Sequence, residues 1–328
     1  MVDATDKITL GISACLLGHK VRFDGGHKLD SWLVNTLGAY VRFVPVCPEV
    51  EMGLPVPREA LRLVGDPQNP RLITVRGGED FTGRMREWSQ ERIRGLHDEG
   101  LCGFIFKRAS PSSGMERVKV YRDVPPEEAK KAGPPVNAGV GIFAAEFMRA
   151  FPLLPAEEEG RLNDPALREN FVERIFVMRR WRQLLQEGMT PGGLVAFHTR
   201  HKLLIMSHSV EHYRTMGKLV AGAGTHERAE ELAERYQTLL LTAMGREATV
   251  KKHVNVLQHV MGYFKKTLTA DEKQELLEII QAYHAGLVPL IVPVTLLNHY
   301  VRKYAESYLA GQWYLSPHPL ELKLRNHV

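Results

Sequence analysis

Two apolar runs near the start of the chain end alike. One runs from Ile8 to Gly18 and carries Cys15; the other runs from Val41 to Glu49 and carries Cys47. Each is short, rich in β-branched and aliphatic residues, and bounded by turn-forming sequence. That predicts a buried strand with a cysteine where the strand gives way to a loop. Ser31 to Tyr40, between them, has helical character. A further helical stretch, Arg84 to Glu99, precedes the apolar run Gly103-Phe104-Ile105-Phe106. Strands alternating with helices specify βαβ units on a mostly parallel sheet. Such a sheet gathers its strand ends on one edge, and ligands bind at that edge in open α/β folds. Two thiols delivered there suggest a soft-metal or iron–sulfur site. The competing reading is a pair of buried cysteines acting as small hydrophobes.

After about Asn163 the pattern changes. Asp164-Pro165 opens a run of helical periodicity through Arg182, and Ala196–Val220, Glu227–Met244, Thr249–Lys266 and Asp271–Ala285 also read as helices. Thr269 and Glu272 have capping-box spacing. Asp123 to Gly141, with Pro125-Pro126 and Pro134-Pro135, reads as mostly loop. The expected architecture is an α/β domain with a mostly parallel sheet over residues 1–163, followed by an all-α domain over residues 164–328.

Three cysteines in 328 residues argue against a disulfide framework and for a reducing, cytoplasmic setting. Met1 to Lys7 has no signal-peptide character. Ala285 to Leu297 is apolar but broken by Pro289 and Pro293, too short to span a bilayer, so no membrane is expected as a partner. Charge is unevenly spread. Residues 171–328 hold 20 Lys/Arg against 14 Asp/Glu, whereas the preceding residues hold 23 against 24. A basic domain beside a near-neutral one suggests a polyanionic partner; a modestly basic solvated surface is the plainer alternative.

Two further segments join the cysteines. Arg22-Phe23-Asp24-Gly25-Gly26-His27-Lys28 lies in the loop after Cys15, and Ser110-Pro111-Ser112-Ser113-Gly114 leaves the Phe104–Phe106 strand at the same expected edge. Together with Ser13-Ala14-Cys15-Leu16-Leu17-Gly18, Val46-Cys47-Pro48-Glu49, Met115-Glu116-Arg117-Val118 and Glu159-Gly160-Arg161-Leu162-Asn163-Asp164, these segments resemble the thiouracil desulfidase family. With its helical second domain, the chain is similar to the two-domain members that act on 4-thiouridine in tRNA.

The resemblance implies a 4Fe-4S cluster held by three cysteines, one iron remaining open to bind the thiocarbonyl sulfur. Water then replaces sulfur in a non-redox hydrolysis that releases sulfide. By matching motifs, Cys15 and Cys47 are cluster ligands and Glu49 is the candidate for activating water. Ser110 contacts substrate or relays a proton, and Asp24 or Lys28 orders the site. The expected partner is a thiolated tRNA, with the free thiobase as the fallback substrate; no obligate protein partner is implied. The family's third ligand is the cysteine of Ser-Pro-Ser-Cys-Gly, where this chain has Ser113. Three alternatives stand: Ser113 ligates iron or leaves a labile site, Cys102 substitutes, or the cluster is lost. The last would make the protein a tRNA-binding or sensing protein with no enzymatic activity. Cys102 precedes a strand, which sets it near the opposite end of the sheet from Cys15 and Cys47.

In the second domain, Arg179, Arg180, Arg182, Arg200, Lys202, Lys251, Lys252, Lys265 and Lys266 are candidate RNA contacts, with Tyr213, Tyr263 and Phe264 nearby in sequence. A zinc hydrolase is a rival reading, because His208-Ser209-Val210-Glu211-His212 matches His-x-x-Glu-His.

Overall fold

The computed structural model describes residues 7–124, 128, 133–224 and 228–327. Residues 1–6, Pro125-Pro126 of the predicted loop and Glu227 at the start of a predicted helix lie outside the described residues. The chain divides into two compact units, Met1–Asn163 and Asp164–Val328. The first is an α/β unit on a parallel sheet and the second is helix-rich.

In the first unit, β1 (Ile8–Ser13) and β2 (Val41–Val46) flank α1 (Ser31–Asn35). The predicted helix to Tyr40 stops early and continues as a 3-10 turn, Leu37–Ala39. Next come α2 (Pro48–Glu51), β3 (Leu61–Val64), β4 (Arg71–Thr74), α3 (Thr82–Asp98) and β5 (Gly103–Phe106). β6 (Val118–Tyr121), β7 (Val136–Gly139), α4 (Ile142–Ala150) and β8 (Ala156–Glu158) complete the unit.

Strands β2-β1-β5-β8 form a wholly parallel sheet. Its registers pair Ser13 with Val46, Ile12 with Ile105 and Phe106 with Glu158. The carboxyl ends of all four strands therefore reach one edge. Leu10, Ile12, Phe104, Phe106, Phe143 and Phe147 are fully or almost fully buried, each worth roughly 1.5–3 kcal/mol of transfer free energy. Gly11 is required by this packing, since a Cβ there would lie 2.2 Å from the Phe104 ring.

A second sheet, ordered β4-β3-β6-β7, goes beyond the sequence expectation. Only its β3–β6 pair is parallel. An Asx turn, in which the Asp66 side chain accepts from the Gln68 N–H at 2.9 Å, sits between β3 and β4. β7 falls inside the segment read as loop, and its pairing with β6 overrides the local Pro and Gly signals.

The second unit holds α5 (Pro165–Gln186), α6 (Pro191–His208), α7 (Val210–Ala221), α8 (Ala229–Met244), α9 (Val250–Tyr263), α10 (Ala270–His284), α11 (Ile291–Lys303) and α12 (Ser307–Ala310). Trp181 of α5 stacks on Tyr236 of α8 at 5.1 Å and donates to Gln237 at 2.7 Å. The Thr269–Glu272 capping box forms at the start of α10. Among the described residues, no helix is long and apolar enough to cross a membrane.

The continuous helix expected over Ala196–Val220 is corrected. Ser209 is extended (φ −157°, ψ 110°), ends α6 and caps α7 by accepting from the His212 N–H. The zinc-hydrolase reading fails with it, because the His-x-x-Glu-His spacing works only on one continuous helix. His208 is fully buried, with Nε2 3.0 Å from Glu173 and Nδ1 2.7 Å from the Arg246 carbonyl oxygen. Glu211 points outward beside Arg246, and His212 pairs with the Ser209 hydroxyl at 2.9 Å.

Candidate active site

Beyond the carboxyl edge of the parallel sheet, Cys15 lies in a 3-10 turn (Ala14–Leu17) that continues β1. The amides of Gly18 and Lys28 both donate to its carbonyl oxygen, closing the intervening loop onto it. Cys47 follows β2 directly and stands at the N-cap of α2; its amide donates to the Glu51 carboxylate at 2.8 Å. The loop after β5 is tied to β1, where the Lys107 amide donates to the Ser13 hydroxyl at 2.9 Å.

Cys15, Cys47, Glu49, Ser110 and Ser113 line a single cavity of about 280 Å³. Glu49 sits between the cysteine and serine segments: Cys47 Sγ is 3.6 Å from one carboxylate oxygen, and the Ser112 hydroxyl donates to the other at 2.6 Å. Arg58 is 3.8 Å from Glu49 and also donates to the Val21 carbonyl oxygen at 3.0 Å. The Ser110 hydroxyl accepts from the Ser113 amide at 3.1 Å and lies 3.0 Å from the Ser112 hydroxyl.

The serine loop rests on the start of α4. The amides of Ile142 and Ala144, which lack partners inside their own helix, donate to the carbonyl oxygens of Pro111 and Ser112. Gly141 passes beneath the loop so closely that a Cβ there would lie 2.5 Å from the Ser112 carbonyl.

Burial pushes the Cys15 thiol up to about 11, against the opposing pull of Lys107. Burial, reinforced by the Glu49 charge, pushes Cys47 up to about 12. Both remain neutral thiols at neutral pH unless a cation displaces their protons, as a bound metal does.

Cys102 is not brought to this site. Its amide donates to the Thr9 carbonyl oxygen, at the amino end of β1, and the length of β5 separates it from the serine loop. It is excluded as a substitute ligand. Asp24 and Lys28 also lie outside the cavity lining. Asp24 shapes its own loop by accepting from the Gly26 amide at 3.0 Å, which with Arg22 lowers its pKa, whereas Lys28 contributes its backbone. Sequence reasoning gave no role to Arg58 or Lys107, which also line the cavity. Lys107 pairs with Glu159 beside the cavity. Ser112, which the sequence offers with Ser110 as a hydroxyl for holding substrate or relaying a proton, meets the site through Glu49.

In the second unit, the candidate RNA residues separate. Arg180 is directed inward: it sits 3.6 Å over the Trp313 ring and donates to the Pro317 carbonyl oxygen. Lys252 binds the His208 carbonyl oxygen at 2.9 Å. Arg179 and Arg182 are half-buried. Arg200, Lys251, Lys265 and Lys266 are exposed. Arg200 lies 4.5 Å from the Trp313 ring, and half-buried Lys202 lies 4.8 Å from Tyr308, which stacks on Tyr263 at 5.0 Å.

A buried charge network also escaped the sequence reading. Arg325 bridges Glu169 at 3.1 Å and Glu173 at 2.8 Å, and Glu173 also meets His208. Burial beside Glu173 raises Glu169 to about 8, while His208 and Arg325 hold Glu173 ionised well below the usual range.

A family model described as 2-thiouracil desulfurase matches residues 10–159, and one described as a protein of unknown function (DUF1722) matches residues 202–319. The chain is 32% identical over 153 residues to the uncharacterized protein YbgA of Escherichia coli (strain K12), an alignment spanning 47% of this chain and 90% of that protein. A solved structure of a [4Fe-4S]-dependent thiouracil desulfidase, TudS, is 29% identical and covers 48% of this chain and 95% of its own, with a TM-score of 0.38.

Proposed function

Because the chain belongs to the thiouracil desulfidase-type family, we propose that it removes sulfur from a thiolated uracil, converting 4-thiouridine in tRNA to uridine. The observation that carries this reading is the convergence of Cys15, Cys47, Glu49, Ser110 and Ser113 on one cavity at the carboxyl edge of the parallel sheet.

The donor set fits an iron–sulfur cluster. Two thiols and the Ser113 hydroxyl share a common cavity, and Cys15, Cys47 and Ser113 would hold a 4Fe-4S cluster there. When bound, it supplies a thiophilic Lewis acid for the thiocarbonyl sulfur. The Ser113 oxygen is a harder donor than thiolate, so the cluster is held more weakly on that side.

The reaction exchanges C=S for C=O: water adds its oxygen to the carbon, and sulfur departs as hydrogen sulfide without net oxidation or reduction. Glu49 accepts the proton of the attacking water and returns one to the departing sulfur. Ser112 fixes the Glu49 carboxylate through their hydrogen bond. Ser110 contacts the base. In the second unit, Arg200, Lys202, Lys251, Lys265 and Lys266 bind the RNA backbone beside Tyr263, Tyr308 and Trp313.

Anaerobic purification with iron and acid-labile sulfide analysis is the direct test. About four of each per chain, with sulfide release from thiolated tRNA, supports the enzyme. A second reading, an RNA-binding protein with an impaired cluster site, is motivated by Ser113. It is favoured if the protein binds tRNA but carries no iron until Ser113→Cys is introduced.

A further inference from the structure

A second cavity, of about 460 Å³, shares Arg108 and Ala109 with the candidate active site. Its other lining residues include Arg117, Lys119 and Arg161. The acidic groups in it are already engaged. The buried Glu158 carboxylate accepts from the Met115 and Glu116 amides at 2.7 and 3.4 Å, and Arg161 is held by Glu157 at 2.6 Å and Glu116 at 2.9 Å. Arg108, Arg117 and Lys119 are exposed, and none has a carboxylate partner among the described residues. The groove therefore presents three cations without a carboxylate partner, outnumbering its remaining acidic group Glu158, beside the candidate active site.

Its backbone is also unusual. Ala109 and Arg117 both adopt left-handed φ values, 58° and 53°. Such residues lose about 1–2 kcal/mol relative to ordinary backbone, and strain of this kind concentrates where a ligand is held. At the pocket itself, Phe23 is 41% exposed, with the Arg22 guanidinium 5.5 Å from its ring. An exposed aromatic face with an adjoining strip of cations is what a single-stranded polynucleotide meets in its binding proteins: a surface for a base and contacts for the backbone that carries it.

We propose that the groove of Arg108, Arg117 and Lys119 binds the phosphodiester backbone flanking the target nucleotide while its base enters the neighbouring pocket. This rests on the reading of that pocket as a thiobase site. It assigns the first unit its own contact with a polynucleotide substrate, in addition to any made by the helical unit. A free thiobase, which has no phosphate, uses only the pocket.

The test is fluorescence anisotropy of the full chain with a labelled, sulfur-free single-stranded uridine octamer over a range of salt. The Arg117→Gln/Lys119→Gln double substitution is expected to weaken binding about tenfold at moderate salt. It should also flatten the slope of log affinity against log salt by about 1.4, roughly 0.7 for each single-strand phosphate contact removed. Lys119→Gln alone, at an exposed position of β6, should lower the slope by about 0.7 and guards against misfolding of the double variant. Unchanged affinity and slope in both variants would overturn the proposal. Because the octamer contains no sulfur, the result is independent of cluster loading and turnover. A chain that lacks desulfidase activity but shows the flattened slope loses the thiobase reading and keeps the groove. One that releases sulfide with an unchanged slope keeps the reading and loses the groove.

Discussion

The Ser112 hydroxyl donates to the Glu49 carboxylate across 2.6 Å, joining the serine loop to α2, 63 positions apart in the chain. Each segment follows a different strand of one parallel sheet, α2 after β2 and the serine loop after β5, so the register of that sheet sets the contact. Glu49→Gln keeps the shape and removes the base. It is expected to lower desulfidation about 10²–10⁴-fold, the usual contribution of a general base, with iron content unchanged. Parallel loss of iron would instead make Glu49 a structural residue. Steady-state sulfide release with metal analysis on the same sample separates the two.

Ser113→Cys replaces a hard oxygen with a thiolate at a site shared with Cys15 and Cys47. Retention of iron under air is expected to rise about tenfold or more, since even outer-shell changes shift metal affinity by roughly 10–100-fold. The decay of visible absorption measures it. Equal decay in both proteins would mean that Ser113 does not face the metal.

Arg325 is the cation of a buried cluster whose carboxylates are Glu169 and Glu173. Arg325→Leu removes that cation from the buried, ionised Glu173 carboxylate. Breaking a buried pair in this way destabilises by about 3–5 kcal/mol. Urea denaturation followed by helical circular dichroism should report a loss of that size, and a loss below about 1 kcal/mol would contradict the network's role.

The helical unit should weaken in mild acid. Burial lowers His198 to about 4, His253 to about 3 and His318 to about 4, and places His201 well below its ordinary value. The unfolded chain takes up protons on these histidines near pH 6.5, whereas the folded one does not until much lower pH. Their contribution is therefore complete above about 6.5 and is lost as pH falls toward 4, by roughly 1.4 kcal/mol per histidine per pH unit. Glu169, raised to about 8, has the opposite sign and offsets one of them between pH 8 and its unfolded value. The net slope still favours neutral pH over pH 5. Melting temperatures at the two pH values check this, and a higher value at pH 5 would refute it.

The site was legible in the chain where local sequence carries it. Cys15 and Cys47 each follow a six-residue strand, and a thiol at the end of an apolar run identifies both the strand and the edge. The second sheet was not legible. Its strands are three separate pairings of four-residue segments, and β7 owes its conformation to β6 rather than to its own residues. Ser209 hid inside a good helical pattern because a capping serine and a helical serine differ only in backbone angle. Arg325 acquires its role from Glu169 and Glu173, 156 and 152 positions away in the chain, which charge patterning cannot locate.

Gly141 is not among the residues lining the cavity, yet it limits how the site can diverge. A methyl group there would wedge against the Ser112 carbonyl and lift the serine loop away from Glu49. Variation among relatives can therefore reshape what enters the pocket, through exposed positions such as Phe23, more freely than it can alter the spacing between hydroxyl and carboxylate. In a mutational scan, tolerance should be lowest at a residue with no side chain and no chemistry of its own.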